Sequence, residues 1–338
     1  MATRREVAVA AGVSVRTVSN VVNGFRHVAP DTRARVLTAI DDLSYRPSEL
    51  ARSLKMGRSG LVGLMLPQLD TPYFAELTRA VVEEGAARGY TVVIDQTDGD
   101  LERERALVNR TAHGSLFDAL ILSPLALRSA DVEVLASSGP VVFLGEEPFP
   151  AYDKVMIDNP RAAHEAVDHL LSIGRRRIAA IGALHGSTGS SSVRMLGYRA
   201  ALADAGIAID DDLIPFVTGF TRPEGARAMR RLLALPERPD AVFCFADPLA
   251  LGAIRVLHEQ QVAIPAEIAI VGFDDIEDGH FSTPSLTSIS PDTRYLAVAA
   301  FDRIARRLEG EELAPATIIV PHSLQVREST TAGLQQSL

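Results

Sequence analysis

The sequence predicts two structural classes in one chain of 338 residues: an all-α helix-turn-helix headpiece, then an α/β body built from two parallel-sheet lobes. Three observations carry this. Two short helical patterns meet at Gly12-Val13; strand-length apolar runs alternate with amphipathic helices from Leu61 onward; and the charge is divided unevenly between the two parts.

In the headpiece, taken as residues 1–47, Thr3 and Glu6 form a T-x-x-E capping box, which satisfies the first orphan amides of a helix. Val7, Ala10 and Ala11 supply its small apolar face, and Gly12 ends it, because glycine enters the left-handed region without a Cβ penalty. Ser14 is the next N-cap, and Val15, Val18, Val21 and Val22 have the spacing of a second amphipathic helix. Two helices on a short Gly turn form a helix-turn-helix whose second member can enter a DNA major groove. Ordinary helical hairpins share the pattern, so charge has to discriminate. Residues 1–60 hold ten Lys/Arg against five Asp/Glu, a net +5, which leaves −14 of the total −9 on the rest. A basic head on an acidic body suits phosphate at the head alone.

Pro30 opens a third helix with Val36, Ile40 and Leu43 at helical spacing, stopping at Ser44–Pro47. Residues 48–60 read as a hinge and linker. The segment Ser48–Met56 suits a helix too short to stand alone in water, so Leu50, Ala51 and Leu54 need a partner.

The body, residues 61–338, predicts strands at Leu61–Leu66, Thr91–Asp95, Ala119–Ser123, Val141–Leu144, Ile178–Ile181, Ile214–Val217, Ala241–Phe245 and Ile268–Phe273. Helical patterns lie between most of them: Tyr73–Arg88, Ala162–Ser172, Arg194–Ala205, Glu224–Leu235 and Pro248–Gln261. A helix at Tyr295–Glu309 and short strands at Thr317–Val320 and Ser323–Val326 follow. Such alternation indicates parallel sheets covered on both faces, and the number of units indicates two lobes.

Ligands of open α/β sheets sit at the carboxyl ends of strands. Those positions hold Pro67-Gln68, Asp95, Ser123-Pro124, Gly145-Glu146, Gly182–His185, Phe220, Asp247 and Asp274-Asp275, with Tyr73-Phe74 and Arg194 just beyond. Aromatic, carboxylate and guanidinium groups together suit a small polar ligand. Gly182–Gly189 matches no phosphate-loop pattern and reads as a Gly/Ser loop over a cleft. His164 and Asp168, at i and i+4, could ligate a metal, but no third ligand is in pattern and a solvated helix face explains them. Asp274-Asp275 has no partnered nucleophile, so an enzyme fits poorly and no cofactor is expected. No apolar run reaches the ~18 residues of a membrane span. The N-terminus lacks a signal-peptide pattern, and Cys244 is the single cysteine, so a reducing cytoplasm is expected.

The chain resembles the lactose-repressor (LacI/GalR) family of bacterial transcription regulators over nearly its whole length. The likeness is carried by A-A-G-V-S-V-R-T-V-S-N-V-V-N-G, by Arg33–Pro47, by L-A-R-S-L, and in the body by G-L-M-L-P, M-I-D-N, R-M-L-G-Y, F-C-F-A-D-P-L-A-L-G-A and V-G-F-D-D. The resemblance implies a periplasmic-binding-protein-like body of two Rossmann-like lobes. One comprises about 61–158 and 292–320, the other about 159–291 and 321–330, with crossovers near Asp158–Arg161, Ser288–Asp292 and Val320–Ser323. It implies a homodimer on a palindromic DNA operator in the bacterial cytoplasm, at the nucleoid when bound. Val15, Arg16, Thr17, Ser19 and Asn20 would read bases, Thr3, Ser14, His27, Thr32 and Arg33 would contact phosphate or flanks, and Arg52 and Leu54 would act from the hinge, Leu54 as a minor-groove wedge. Tyr73, Phe74, Ser123, Arg194, Phe220, Asp247 and Asp274 would hold the effector.

Some positions depart from the family pattern. Asn20 stands where many members have Arg, Ala29 replaces a Ser cap, Gly145-Glu146 stands where sugar binders often have Asp first, and Ala246 stands where several carry Asn. A ligand-responsive repressor is therefore expected, its effector a sugar or sugar derivative, with a nucleobase-like metabolite behind it. The competing readings are an activator or corepressor-dependent regulator, a solute receptor without DNA function, and an α/β enzyme.

Overall fold

Thr3 and Glu6 close the capping box in the computed structural model, which describes residues 2–22, 25, 27–45, 58–112, 116–137, 139–186 and 189–331. Thr3 Oγ1 accepts from the Glu6 amide at 3.3 Å, and the Glu6 carboxylate accepts from the Thr3 amide at 2.6 Å. The chain divides into two units, Met1–Gly60 and Leu61–Leu338.

In the first unit, α1 (Arg4–Ala10) ends on Gly12, whose φ of +64° lets the Val13 amide reach the Ala8 carbonyl at 2.9 Å. Helix α2 spans Val15–Val22 and α3 spans Pro30–Asp42; α3 has no side-chain cap, as Ala29 dictates. Val7, Ala8, Ala11, Val18, Val21, Val36, Ala39 and Tyr45 form the core. Two expectations shift here. Ala10 faces out and Ala8 takes its place, and Leu43 is 36 % exposed while the Tyr45 ring closes the core instead. The expected hinge helix, with Arg52 and Leu54, lies outside the described residues.

The second unit holds two sheets. The first is six-stranded and all-parallel, in the order β10-β5-β4-β3-β1-β2, from β1 (Leu61–Leu66), β2 (Thr91–Gln96), β3 (Ala119–Leu122), β4 (Val141–Leu144), β5 (Asp153–Ile157) and β10 (Thr317–Val320). The second runs β11-β9-β8-β7-β6, from β6 (Ile178–Ile181), β7 (Ala241–Cys244), β8 (Ala269–Phe273), β9 (Thr287–Pro291) and an antiparallel edge, β11 (His322–Gln325). Helices α4 (Pro72–Ala87) and α10 (Thr293–Leu308) cover one face of the first sheet, and α5 (Leu101–Ala112) lies on the other. In the second sheet α6 (Asn159–Ser172) and α7 (Ser190–Asp204) take one face, α8 (Arg222–Leu233) and α9 (Asp247–Glu259) the other. Strands buried on both faces read as continuous apolar runs, which is why they were legible.

Two differences from expectation have clear causes. Ile214–Val217 is no strand, because Pro215 cannot donate to a ladder; only Phe216 bridges, to Ala183. Strand β5 alternates buried and half-buried residues, but the charged Asp153 fills one of its buried positions, so the sequence does not show the strand's period. The crossover expected near Ser288–Asp292 falls at the end of that range, because β9 runs to Pro291 and α10 starts at Thr293. The other passages lie between β5 and α6 and between β10 and β11.

Candidate functional site

The first candidate is the outer face of α2. Ser14 Oγ accepts from the Thr17 amide at 3.0 Å and bonds the Thr17 hydroxyl at 2.9 Å, so the cap pins the helix start. That leaves Val15 and Arg16 exposed at the N-terminal turn, with Thr17, Ser19 and Asn20 half-buried on its flanks. Thr3 and His27 are exposed, and Thr32 is half-buried on α3. Arg33 has a fixed task as well: its Nη2 donates to the Phe25 carbonyl at 2.6 Å, tying α3 to the preceding loop.

The second candidate is the cleft between the lobes of the body. In the first sheet the strand order reverses between β1 and β3, and the crevice of such a sheet opens at the carboxyl ends there. Ser123 follows β3, buried, and the first turn of α4 carries Tyr73 and Phe74, whose rings meet edge to face at 5.2 Å. The end of β4 adds Glu146. From the other lobe come Arg194 on α7 and Asp274 after β8.

Arg194 is almost wholly buried. Its Nε donates to Asn159 Oδ1 at 2.7 Å, its Nη1 to the Phe245 carbonyl, its Nη2 lies 3.6 Å from Asp274 Oδ1, and its plane sits 3.5 Å over the Phe273 ring. Asn159 in turn donates from Nδ2 to Glu146 Oε1 at 2.5 Å, which joins the two lobes.

The cleft is short of positive charge. Burial raises the Glu146 carboxyl above its ordinary range despite Arg194, and it raises the Tyr73 phenol, with Asp274 and Glu146 adding to the shift. Asp274 is pushed up to about 7, by burial first and then by Glu76 and Glu146, against the pull of Arg194. Its backbone has φ +103° and that of Asp275 φ +53°, a conformation non-glycine residues avoid unless their surroundings impose it. Those surroundings include Asp247, the residue expected as a cleft contact. Asp247 is fully buried, with Oδ2 accepting from the Ile276 amide at 2.9 Å and Oδ1 from Ser288 Oγ at 2.7 Å. It braces the Asp274 loop from beneath. Phe220 is half-buried against both cores of its lobe.

His164 bonds Asp168 at 2.9 Å and Asp204 at 3.0 Å on an outer helix face, and among the described residues no cluster of three or more His, Cys, Asp or Glu could hold a metal ion. The sequence places Glu146 at a strand end but ties neither it nor Asn159 to Arg194. Asn159 stood in the quoted M-I-D-N segment, but nothing in its spacing pointed to Arg194.

Comparison with known proteins decides what these parts belong to. Residues 3–48 match the model for bacterial regulatory proteins of the lacI family, and residues 167–330 match a periplasmic binding protein-like domain. The HTH-type transcriptional repressor PurR of Erwinia tasmaniensis is 34 % identical over 339 residues, 98 % of each chain. The chain belongs to the lacI family of bacterial regulatory proteins. Among solved lacI-type structures, the lac repressor dimer bound to operator and the anti-inducer ONPF aligns with TM-score 0.85 at 27 % identity, covering 98 % of this chain and 99 % of that one. The regulator CelR in complex with cellobiose aligns with TM-score 0.71 at 30 % identity, covering 97 % and 100 %. This lacI-family chain is a DNA-binding transcriptional repressor and no enzyme, as its relatives are. Among its described residues no helix is long and apolar enough to cross a membrane.

Proposed function

We propose that this repressor binds a palindromic operator as a cytoplasmic homodimer, and that an uncharged, hydroxyl-rich ring, a sugar or sugar derivative, enters the cleft and changes operator affinity. The observation that carries the ligand class is the grouping of Tyr73, Glu146, Arg194 and Asp274. Its single guanidinium is already held by Asn159, Phe245 and Phe273, so an incoming phosphate or carboxylate would meet carboxylates without a free cation. Hydroxyl donors suit Asp274 and Glu146, and the Tyr73, Phe74 and Phe220 rings suit a ring face. The cellobiose complex of CelR supports the sugar reading.

A planar nucleobase is the second reading. The same three aromatic rings favour it, as do the curated relatives carrying the name PurR.

The homodimer is supported by apolar surface on the body. Edge strand β2 exposes Val93 (40 %) and Ile94 (38 %), helix α4 exposes Val82 (39 %), and Phe281 is 81 % exposed in the other lobe. An open apolar edge of this kind ordinarily gains a cover. At the DNA, Val15, Arg16, Thr17, Ser19 and Asn20 would read bases, with Thr3, Ser14, His27, Thr32 and Arg33 on phosphate or flanks and Arg52 and Leu54 acting from the hinge. Switching occupancy from 1:99 to 99:1 needs ~5.5 kcal/mol of differential binding between lobe arrangements, within reach of several cleft contacts.

Thermal shifts against neutral sugars, sugar phosphates and free nucleobases test the ligand class, followed by gel shifts on the upstream DNA of its own gene with each hit. Stabilisation by neutral sugars is expected. Stabilisation by sugar phosphates alone would overturn the charge argument, and by nucleobases alone would select the second reading.

A further inference from the structure

The side chain of Asn159 is fully buried where the chain passes from the first lobe into the second, and it is hydrogen-bonded on both sides. Which way its amide faces follows from chemistry alone. A guanidinium can only donate, so the atom 2.7 Å from Arg194 Nε is the carbonyl oxygen, and the NH2 faces the Glu146 carboxylate at 2.5 Å. Glu146 rides on the end of β4 in one lobe, whereas Arg194 stands on α7 in the other. We infer that Asn159 is a positioning residue that fixes the aim of Arg194 and ties it to the opposite lobe through Glu146, so that guanidinium orientation and lobe closure are set together.

Neither neighbour could do this alone. Arg194 makes no direct contact of its own with Glu146; the two meet through one amide that needs both. Opening the lobes draws Glu146 away from a buried NH2 group with no other partner, and the amide is then free to turn. A turned amide presents its NH2 to Arg194, and the guanidinium must leave its seat between Phe245 and Phe273. A ligand group that engages Glu146 or Asp274 acts on the same chain of bonds. The inference extends the cleft reading proposed above, but it concerns the ligand-free protein and stands or falls apart from the ligand's identity.

Hydrogen exchange on the full-length, ligand-free protein tests it, using a swap of functional groups. Asn159→Asp keeps an oxygen for Arg194 and turns a carboxylate toward Glu146. Exchange is expected to rise several-fold at residues 72–77 and 145–147 of the first lobe as well as at 190–197. Adding Glu146→Gln restores a donor opposite Asp at 159 and should return all three segments to the wild-type rate. A rise confined to 190–197, or no recovery in the double variant, would overturn the link between lobes. Should Asn159→Asp fail to fold, Glu146→Ala removes only the outer end of the chain. It is expected to speed exchange at 72–77, and an unchanged rate there would overturn the proposal equally.

Discussion

Gly197 lies so close to Pro160 that a Cβ on it would stand 2.1 Å from the Pro160 carbonyl oxygen and 2.7 Å from the Ala163 Cβ. Helix α7 therefore rests directly on the first turn of α6, and Arg194, one turn earlier, is brought to Asn159. Gly→Ala inside a helix ordinarily stabilises by ~1 kcal/mol. Here overpacking against backbone opposes that gain, at about 1–3 kcal/mol or more, and wins. Gly197→Ala is expected to lower the urea midpoint and weaken ligand binding together. A raised midpoint would show that α7 can lift without consequence.

Asp274 makes the body sensitive to pH. Its folded pKa, about 7, lies above its ordinary 3.8, so between about pH 4 and 7 the folded state binds more protons than the unfolded one. Its contribution to stability is full below that window and is lost as pH rises through it. Asp274→Asn removes the titration, so the fall in Tm from pH 5 to pH 8 should shrink, and the ligand response should disappear. An unchanged Tm profile would assign the slope to another group.

Much of this arrangement was legible, for reasons that differ by element. The strands Leu61–Leu66 and Ala241–Cys244 are buried on both faces and read as plain apolar runs. Strand β9 was not, because its Thr287 and Ser288 are buried polar residues. Thr287 is satisfied by Ser329 and Thr330 and Ser288 by Asp247, partners about 40 residues away that no local pattern reveals. Arg194 and Asp274 could be named from their places after strands, whereas Asp247 sits in an equally favoured place and turned out to lie beneath the loop. Position relative to a sheet says which residues approach the cleft. It does not say which face it.

Arg16 separates base reading from phosphate attraction. It is exposed on the first turn of α2, while the Ser14–Thr17 cap holds the helix start. Arg16→Ala should leave headpiece stability unchanged and reduce discrimination among operator variants by about 1–3 kcal/mol at one position. Ser14→Ala should do the reverse first, costing ~1 kcal/mol of headpiece stability through the lost cap. Equal loss by Arg16→Ala on every DNA sequence would make it a phosphate contact.

Ser288 offers a way to disturb the Asp274 loop without touching its carboxylate. Its hydroxyl donates to Asp247 Oδ1 at 2.7 Å and accepts from the Asp275 amide at 3.1 Å, so one atom holds both the brace and the braced segment. Ser288→Ala strands two polar groups at once, and a stranded buried group costs about 1–3 kcal/mol. Asp247 keeps its bond from the Ile276 amide, so the lobe should still fold. The expected result is lower stability together with a ligand affinity reduced at every pH, because the loop loses its enforced positive-φ conformation. Asp274→Asn, by contrast, should lose the ligand response while losing little stability. If Ser288→Ala lowered stability but left ligand affinity intact, the loop would hold its shape without the brace, and Asp247 would have no part in positioning Asp274.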